Sequence, residues 1–408
     1  MEEKLLNDYA RLIARQGGHV VKGDEVWLYA GLDQPEFVTK VVEECYKAGA
    51  KSVFVEWEHD PTFKLDYKYA SLATLSKVTP MAIAKLKYRV KKLPTMIYIS
   101  SEDPDAFNGV NQEKMAKSRM RRYPKVKKYF DAMDGKYKWC IAGVPGKAWA
   151  KKVFPDLSEE DAVEALWAAI LKTSRVDGND PVKNWDDHNT FLHNQTKKLN
   201  DLGLKKLIYK ASNGTDFQVE LIEKMNWGGG YDVAPNKGPF NPNIPSEEAF
   251  TTPMRGKAEG KLVATKPLSY NGELIDGFSI SFKDGKVSEV KAKKNQSLLE
   301  KMVKMDEGAA MLGEVALVPF DSPINQTGIL FYNTLYDENA CCHVALGAGF
   351  PDLYPGGVDM SPEERLAVGI NDSMNHVDFM IGTPDLSIIG IDKNGKEVQI
   401  FKDGTWAI

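Results

Sequence analysis

Carboxylates and imidazoles stand in apolar surroundings at several places in the second half of this 408-residue chain. In NDSMNHVDFMIG (371–382), His376 and Asp378 lie two apart, just ahead of the apolar run Phe379-Met380-Ile381. On a strand, residues i and i+2 share a face, so both side chains can reach one point. That geometry suits a pair of metal ligands or a histidine held by an orienting aspartate; a surface His–Asp pair has the same spacing. Glu314 is embedded in the apolar segment MLGEVALVP, where a carboxylate is costly unless paired, hydrogen-bonded or bound to a metal. His343 sits in the apolar, glycine-rich CCHVALGAGF, and Glu247 and Glu248 in NIPSEEAF. Taken singly, each has an ordinary structural reading. Together they supply carboxylates and imidazoles in the proportion that dinuclear hydrolytic sites use.

Other chemistries find little support. GVPGKAWAKK (143–152) contains Gly146-Lys147 but lacks the spacing of a phosphate loop and the Ser/Thr after the lysine. VALGAGF does not complete G-x-G-x-x-G, and the glycines at 228–230 follow no strand that opens a helix, so a Rossmann-type cofactor site is not expected. G-x-S-x-G and H-E-x-x-H are absent. His188 and His193, five apart in a helical pattern, do not share a face. His19 and His59 fall in loops. The basic run KSRMRRYPKVKKY (117–129) reads as a solvated helix face, because the net charge is −4 and no aromatic-basic module accompanies it.

The elements that must position these residues divide into two styles. The first half alternates short apolar runs (26–31, 52–57, 95–100, 138–145) with helical patterns, the clearest from Pro35 to Ala48. That alternation argues for an α/β domain with a mainly parallel sheet. Ser158 with Asp161 opens a further helix, and the turn-rich DGNDP (177–181) is the expected hinge, followed by a helix over roughly 182–202. The second half reads as α+β with antiparallel strands, including an Asp-Gly turn in FKDGKVSEV and a short helix opened by SPEER (361–365). Between them, 226–253 is rich in Gly, Pro and Asn and reads as a long loop. The expected domains are 1–195 and 196–408, the second carrying a dinuclear metal site.

With 43% hydrophobic and 27% charged residues, composition is that of an ordinary globular chain. No apolar run approaches a spanning helix, the charged N-terminus does not resemble a signal peptide, and neither nucleic acid nor a membrane is an expected partner. Four cysteines, of which Cys341 and Cys342 are adjacent and badly placed to bridge each other, with no C-x-x-C, exclude a zinc ribbon and suggest a reducing cytoplasm.

NIPSEEAFTTP, LGEVALVP, ENACCHVALG and NDSMNHVDFMIG, in that order and spacing, resemble the M29 family of metallo-aminopeptidases. The likeness extends to KKVFPDLSEEDAVEALWAAIL, DGNDPVKNW, SNGTDFQVEL and the tail DKNGKEVQIFKDGTWAI, nearly the whole chain. The resemblance implies five ligands to two divalent ions (zinc, cobalt or manganese): Glu248, Glu314, His343, His376 and Asp378. It selects Glu248 over Glu247, and implies removal of N-terminal residues from peptides by metal-activated water. Glu248 and Glu314 are the implied candidates for bridging ligand and proton shuttle. A homodimer with an enclosed chamber is also implied. One departure stands out. The family's tyrosine seven residues after the first histidine is Phe350 here. A phenol can donate to a substrate carbonyl or a developing oxyanion; phenylalanine cannot. Tyr354 lies four residues on.

Three rivals follow. A dinuclear hydrolase of phosphoesters or non-peptide amides shares the ligand chemistry, but the ligand segments hold few basic residues to meet phosphate. A catalytically impaired peptide- or metal-binding protein is the reading Phe350 favours, against the intact ligand set. A nucleotide-dependent enzyme built on the first half lacks its phosphate loop.

Overall fold

Strand–helix alternation in the first half produces a five-stranded parallel sheet. In a computed structural model describing residues 1–408 apart from positions 102 and 271, its order is Ser52–Glu58, Glu25–Gly31, Thr95–Ser100, Trp139–Gly143 and Asn243–Ile244. The helix Pro35–Lys47 begins with proline at a position that needs no amide donor and buries Phe37, Val38, Val41 and Cys45, the face its spacing predicts. Ser158 caps Glu159–Thr173 by accepting from the Asp161 amide at 3.1 Å.

The chain divides into two units, Met1–Trp185 with Tyr231–Ile244, and Asp186–Gly230 with Pro245–Ile408. The division at 185/186 and the expected one at 195/196 both fall within the helix Pro181–Leu202. The segment 226–253, read from sequence as a loop, instead contains short strands at Asp232–Ala234, Gly238–Phe240, Asn243–Ile244 and Ala249–Thr251. Asn243–Ile244 extends the parallel sheet by pairing with Ile141 and Ala142. Such pairing depends on distant partners, and glycine and proline content does not reveal it.

The second unit holds an eight-stranded antiparallel sheet and a four-stranded one. In the eight-stranded sheet, Ser279–Lys283 and Lys286–Lys291 join through Asp284 and Gly285, both at positive φ, as the Asp-Gly signal implies. The four-stranded sheet runs Ala249–Thr251, Leu312–Leu317, His343–Gly347 and His376–Met380. Its alternation is the basis of the site. Val315, Leu317, Val344, Leu346, Val377 and Phe379 join one hydrophobic core with Phe278, Ile388 and Phe401. Period two sends Glu314, His343, His376 and Asp378 to the opposite face.

Candidate metal centre

Register fixes which side chains meet. Ala345, in the middle of His343–Gly347, faces Glu314 on one neighbouring strand and Asp378 on the other. Two residues away on the central strand, Gly347 pairs with His376 and His343 with Ala316. The central strand therefore offers only small residues, Ala345 and Gly347, beneath the polar side chains of its neighbours. Gly347 is required twice over. Its φ is +117°, and a Cβ there would lie 2.0 Å from the Asn375 carbonyl oxygen. A bulge at Gly313 lets Leu312 oppose Leu346 while Glu314 opposes Ala345, so Leu312 joins the core and Glu314 points to the site.

The structure brings all five expected ligands together. Glu248, Glu314 and His343 form one group with ligand atoms within 4.8 Å of each other, and Glu314, His376 and Asp378 form a second. Glu314 belongs to both. Its Oε2 is 3.1 Å from His376 Nε2 and its Oε1 is 3.9 Å from His343 Nε2. His343 Nε2 lies 3.2 Å from Glu248 Oε2, and His376 Nε2 lies 3.6 Å from Asp378 Oδ1. His376 is the most open of the five, with 29% of its side chain exposed, so the centre is approached from its side.

The donor set fits divalent cations. His376 Nδ1 is 2.7 Å from the Ala348 carbonyl and His343 Nδ1 is 3.3 Å from the Cys341 carbonyl. A carbonyl only accepts, so each Nδ1 carries the proton. Each Nε2 then faces carboxylates, the arrangement of an imidazole set to bind metal. Asp378 Oδ1 is buried without a hydrogen-bond partner, as expected for an oxygen whose partner is a cation.

Electrostatics without a cation show the same need. Burial pushes the Glu314 carboxyl up to about 7, with the Asp378 and Glu248 charges adding to it against the hydrogen bond from His376. Burial alone would lower both imidazoles. The adjacent carboxylates, Glu248 beside His343 and Asp378 and Glu314 beside His376, outweigh it and hold both well above the ordinary histidine value. Burial also opposes ionisation of Asp378, yet the neighbouring imidazoles, His376 first, keep it below the usual carboxylate range.

Sequence reasoning missed Glu338. It lies on the short turn Glu338–Ala340, five residues before His343. Burial, then the charges of Asp378 and Glu248, push its carboxyl well above the usual value. The available signal was an acid abutting the apolar Ala340-Cys341-Cys342 run. The supports of Glu248 were also missed. Asn339 Oδ1 accepts from the Glu247 amide at 2.7 Å, and His188 Nε2 is 2.7 Å from the Ser246 carbonyl. Phe350 lies where the departure matters. Its ring is 5.1 Å from that of His376 and 5.1 Å from that of Phe250, and its amide donates to Thr252 Oγ1 at 2.7 Å. Tyr354 is half-buried beyond the turn Pro351–Leu353.

Two imidazoles and three carboxylates, with Glu314 common to both groups, make a candidate centre for divalent cations. The chain belongs to the M29 peptidase family, whose model, described as thermophilic metalloprotease (M29), matches residues 2–406. It is 38% identical to aminopeptidase AmpS of Bacillus subtilis (strain 168), over 98% of both chains. It is also 38% identical to aminopeptidase 2 of Geobacillus stearothermophilus, over 99% of this chain and 98% of that one. The solved structure of wild-type AmpT from Thermus thermophilus superposes with a TM-score of 0.91 at 32% identity, covering 100% of both chains.

Proposed function

We propose that this protein is a metal-dependent aminopeptidase, a hydrolase that removes N-terminal residues from peptides at the centre around Glu314. The observation that carries the reading is the membership of Glu314 in both ligand groups, within a chain that matches named aminopeptidases along its length. Glu248 and His343 would hold one divalent ion, His376 and Asp378 the other, and Glu314 both. Ions so held supply Lewis acidity toward a carbonyl and lower the pKa of water.

The chain's own residues do the rest. Nδ1–H bonds to Ala348 and Cys341 carbonyls hold both rings in the ligating tautomer. Glu248 is the carboxyl that moves the proton, taking it from water and returning it to the leaving amine. Phe350 stands against the His376 ring and brings an apolar face there without a hydrogen-bond donor. The acidic environment suits the free α-ammonium of a peptide, which restricts cleavage to the first residue.

Mixed nitrogen and oxygen donors suit zinc, cobalt or manganese. A cytoplasmic location accords with four cysteines that are all buried free thiols. No helix among the described residues is long and apolar enough to cross a membrane. The homodimer rests on the family resemblance.

The test is hydrolysis of amino-acid p-nitroanilides by metal-stripped protein, before and after addition of each ion. Release from free-amine substrates alone, restored by metal, is the expected result. Equal release from N-acetylated substrates would overturn the exopeptidase reading.

A further inference from the structure

We infer that Phe350 and Phe250 form the wall that takes the side chain of the substrate's N-terminal residue, so that the centre around Glu314 selects peptides beginning with a branched aliphatic or aromatic residue. The inference rests on the aminopeptidase reading of that centre. Strand period places the first ring. Ala249 joins the hydrophobic core, so Glu248 and Phe250, on either side of it, share the face that carries the ligands. Phe250 pairs with Ala316, and Ala316 with His343, so a single alanine separates this position from a ligand along the row. Phe350 follows the strand His343–Gly347 and returns over the same face. Its ring lies 5.1 Å from that of Phe250 and 5.1 Å from that of His376.

Backbone contacts fix the pair before any ligand arrives. The Phe350 amide donates to Oγ1 of the buried Thr252 at 2.7 Å. A Cβ at Gly349 would lie 2.6 Å from Thr252 Cγ2, so glycine at 349 lets this contact form. On the other side, Gly228 exchanges two backbone hydrogen bonds with Phe250, each 2.9 Å. A Cβ at Gly228 would lie 3.2 Å from Phe250 Cζ and 2.8 Å from Leu353 Cδ2. Leu353 and the Phe250 ring therefore share the space that a side chain at 228 would fill. A wall held in this way loses little freedom when a ligand covers it.

Position and chemistry together name the occupant. In a peptide cleaved at its first bond, the first Cα is bonded directly to the reacting carbonyl carbon, so the first side chain emerges beside the ligands. His376 is the most open of them, and Phe350 stands against it. Both phenylalanine rings are half-buried and leave apolar surface at the open side of the centre. An apolar side chain laid on them removes that surface and its own from water. A polar or charged one gives up hydration and meets no donor or acceptor on either ring. A hydroxyl at position 350 would have supplied such a group; phenylalanine makes both rings of the wall apolar.

The test is calorimetric titration of the metal-loaded protein with L-leucine hydroxamate and L-alanine hydroxamate, whose shared head group chelates metal while the side chains differ. Hydrolysis of leucine, alanine and asparagine p-nitroanilides runs beside it. In the wild type, leucine should be favoured over alanine in binding, and over both alanine and its near-isostere asparagine in kcat/KM, by at least about tenfold. Phe250→Ala and Phe350→Ala should each bring these ratios close to unity, whereas Phe250→Leu and Phe350→Leu, which keep the wall apolar, should largely hold them. A centre merely disturbed by the substitution lowers every ligand alike and leaves the ratios standing. Ratios unchanged in both alanine variants, or wild-type binding of alanine hydroxamate as tight as that of leucine hydroxamate, would overturn the proposal. Selective hydroxamate binding without release from any p-nitroanilide would keep the wall and remove the aminopeptidase reading; release without selectivity would do the reverse.

Discussion

Glu314 and Asp378 face one another across a single alanine, Ala345, from the two strands that flank it. The relationship explains how an apolar sheet assembles a polar centre. Backbone register sets the approach, small residues beneath make room, and the reverse face buries Val344 and Leu346. It also makes Glu314 the residue whose loss is hardest to absorb. Glu314→Gln keeps the shape and removes the charge shared by both groups. Peptide hydrolysis should fall more than about 100-fold, beyond the loss usual for an outer-sphere partner, while circular dichroism stays unchanged. Full activity in this variant would contradict the bridging role.

Phe350 stands against His376 at 5.1 Å. Restoring a phenol there adds a donor of the kind worth about 10²–10³ in kcat where an oxyanion develops. Phe350→Tyr should raise kcat, by up to about 10²-fold, with KM little changed. An unchanged or lower kcat would show that the chain does not use a donor at this position.

Metal loading should depend on pH in a definite direction. In the metal-free chain both imidazoles are held above the ordinary histidine value by neighbouring carboxylates. They are protonated at neutral pH, and ions must displace those protons. Affinity therefore rises with pH, and binding releases protons. Calorimetry in buffers of different ionisation enthalpy counts them. The raised histidine values also contribute stability that is complete below about 6.5 and lost as pH rises through the folded values. Glu314, raised from 4.5 to about 7, acts in the same direction at lower pH, its loss developing between those two values. The metal-free protein should thus melt at lower temperature as pH rises past neutrality, and the metal-loaded protein should resist that loss. Affinity that is flat from about pH 6 to about 8 would contradict the account.

Asn339 acts on Glu248 through the backbone. It accepts from the Glu247 amide at 2.7 Å and donates to the Leu335 carbonyl at 3.1 Å. Asn339→Ala leaves a buried amide unsatisfied, costing about 1–3 kcal/mol. It should also weaken metal binding about 10–100-fold, as loss of a supporting partner does. A drop in melting temperature with metal affinity intact would confine Asn339 to a purely structural role.

The sequence made some of this visible and hid the rest for physical reasons. His376 and Asp378 were legible because a strand's period of two is local, and Glu314 because a carboxylate in MLGEVALVP violates the apolar pattern around it. The choice of Glu248 over Glu247 came only from the family resemblance, since adjacent glutamates in an irregular segment carry no periodicity. Glu338 was hidden because a short turn rather than a strand presents it, and no spacing rule links it to His343. The return of Asn243–Ile244 to the parallel sheet was illegible for a related reason: its partner, Ile141, lies about a hundred residues away, and two residues of strand leave no pattern.

Anomalous diffraction from crystals soaked in Mn²⁺ or Zn²⁺ tests the central claim most directly. Two peaks per chain are predicted, one beside Glu248 and His343, the other beside His376 and Asp378, with Glu314 reaching both. A single peak at full occupancy, or peaks away from Glu314, would contradict the shared-carboxylate centre and the mechanism built on it.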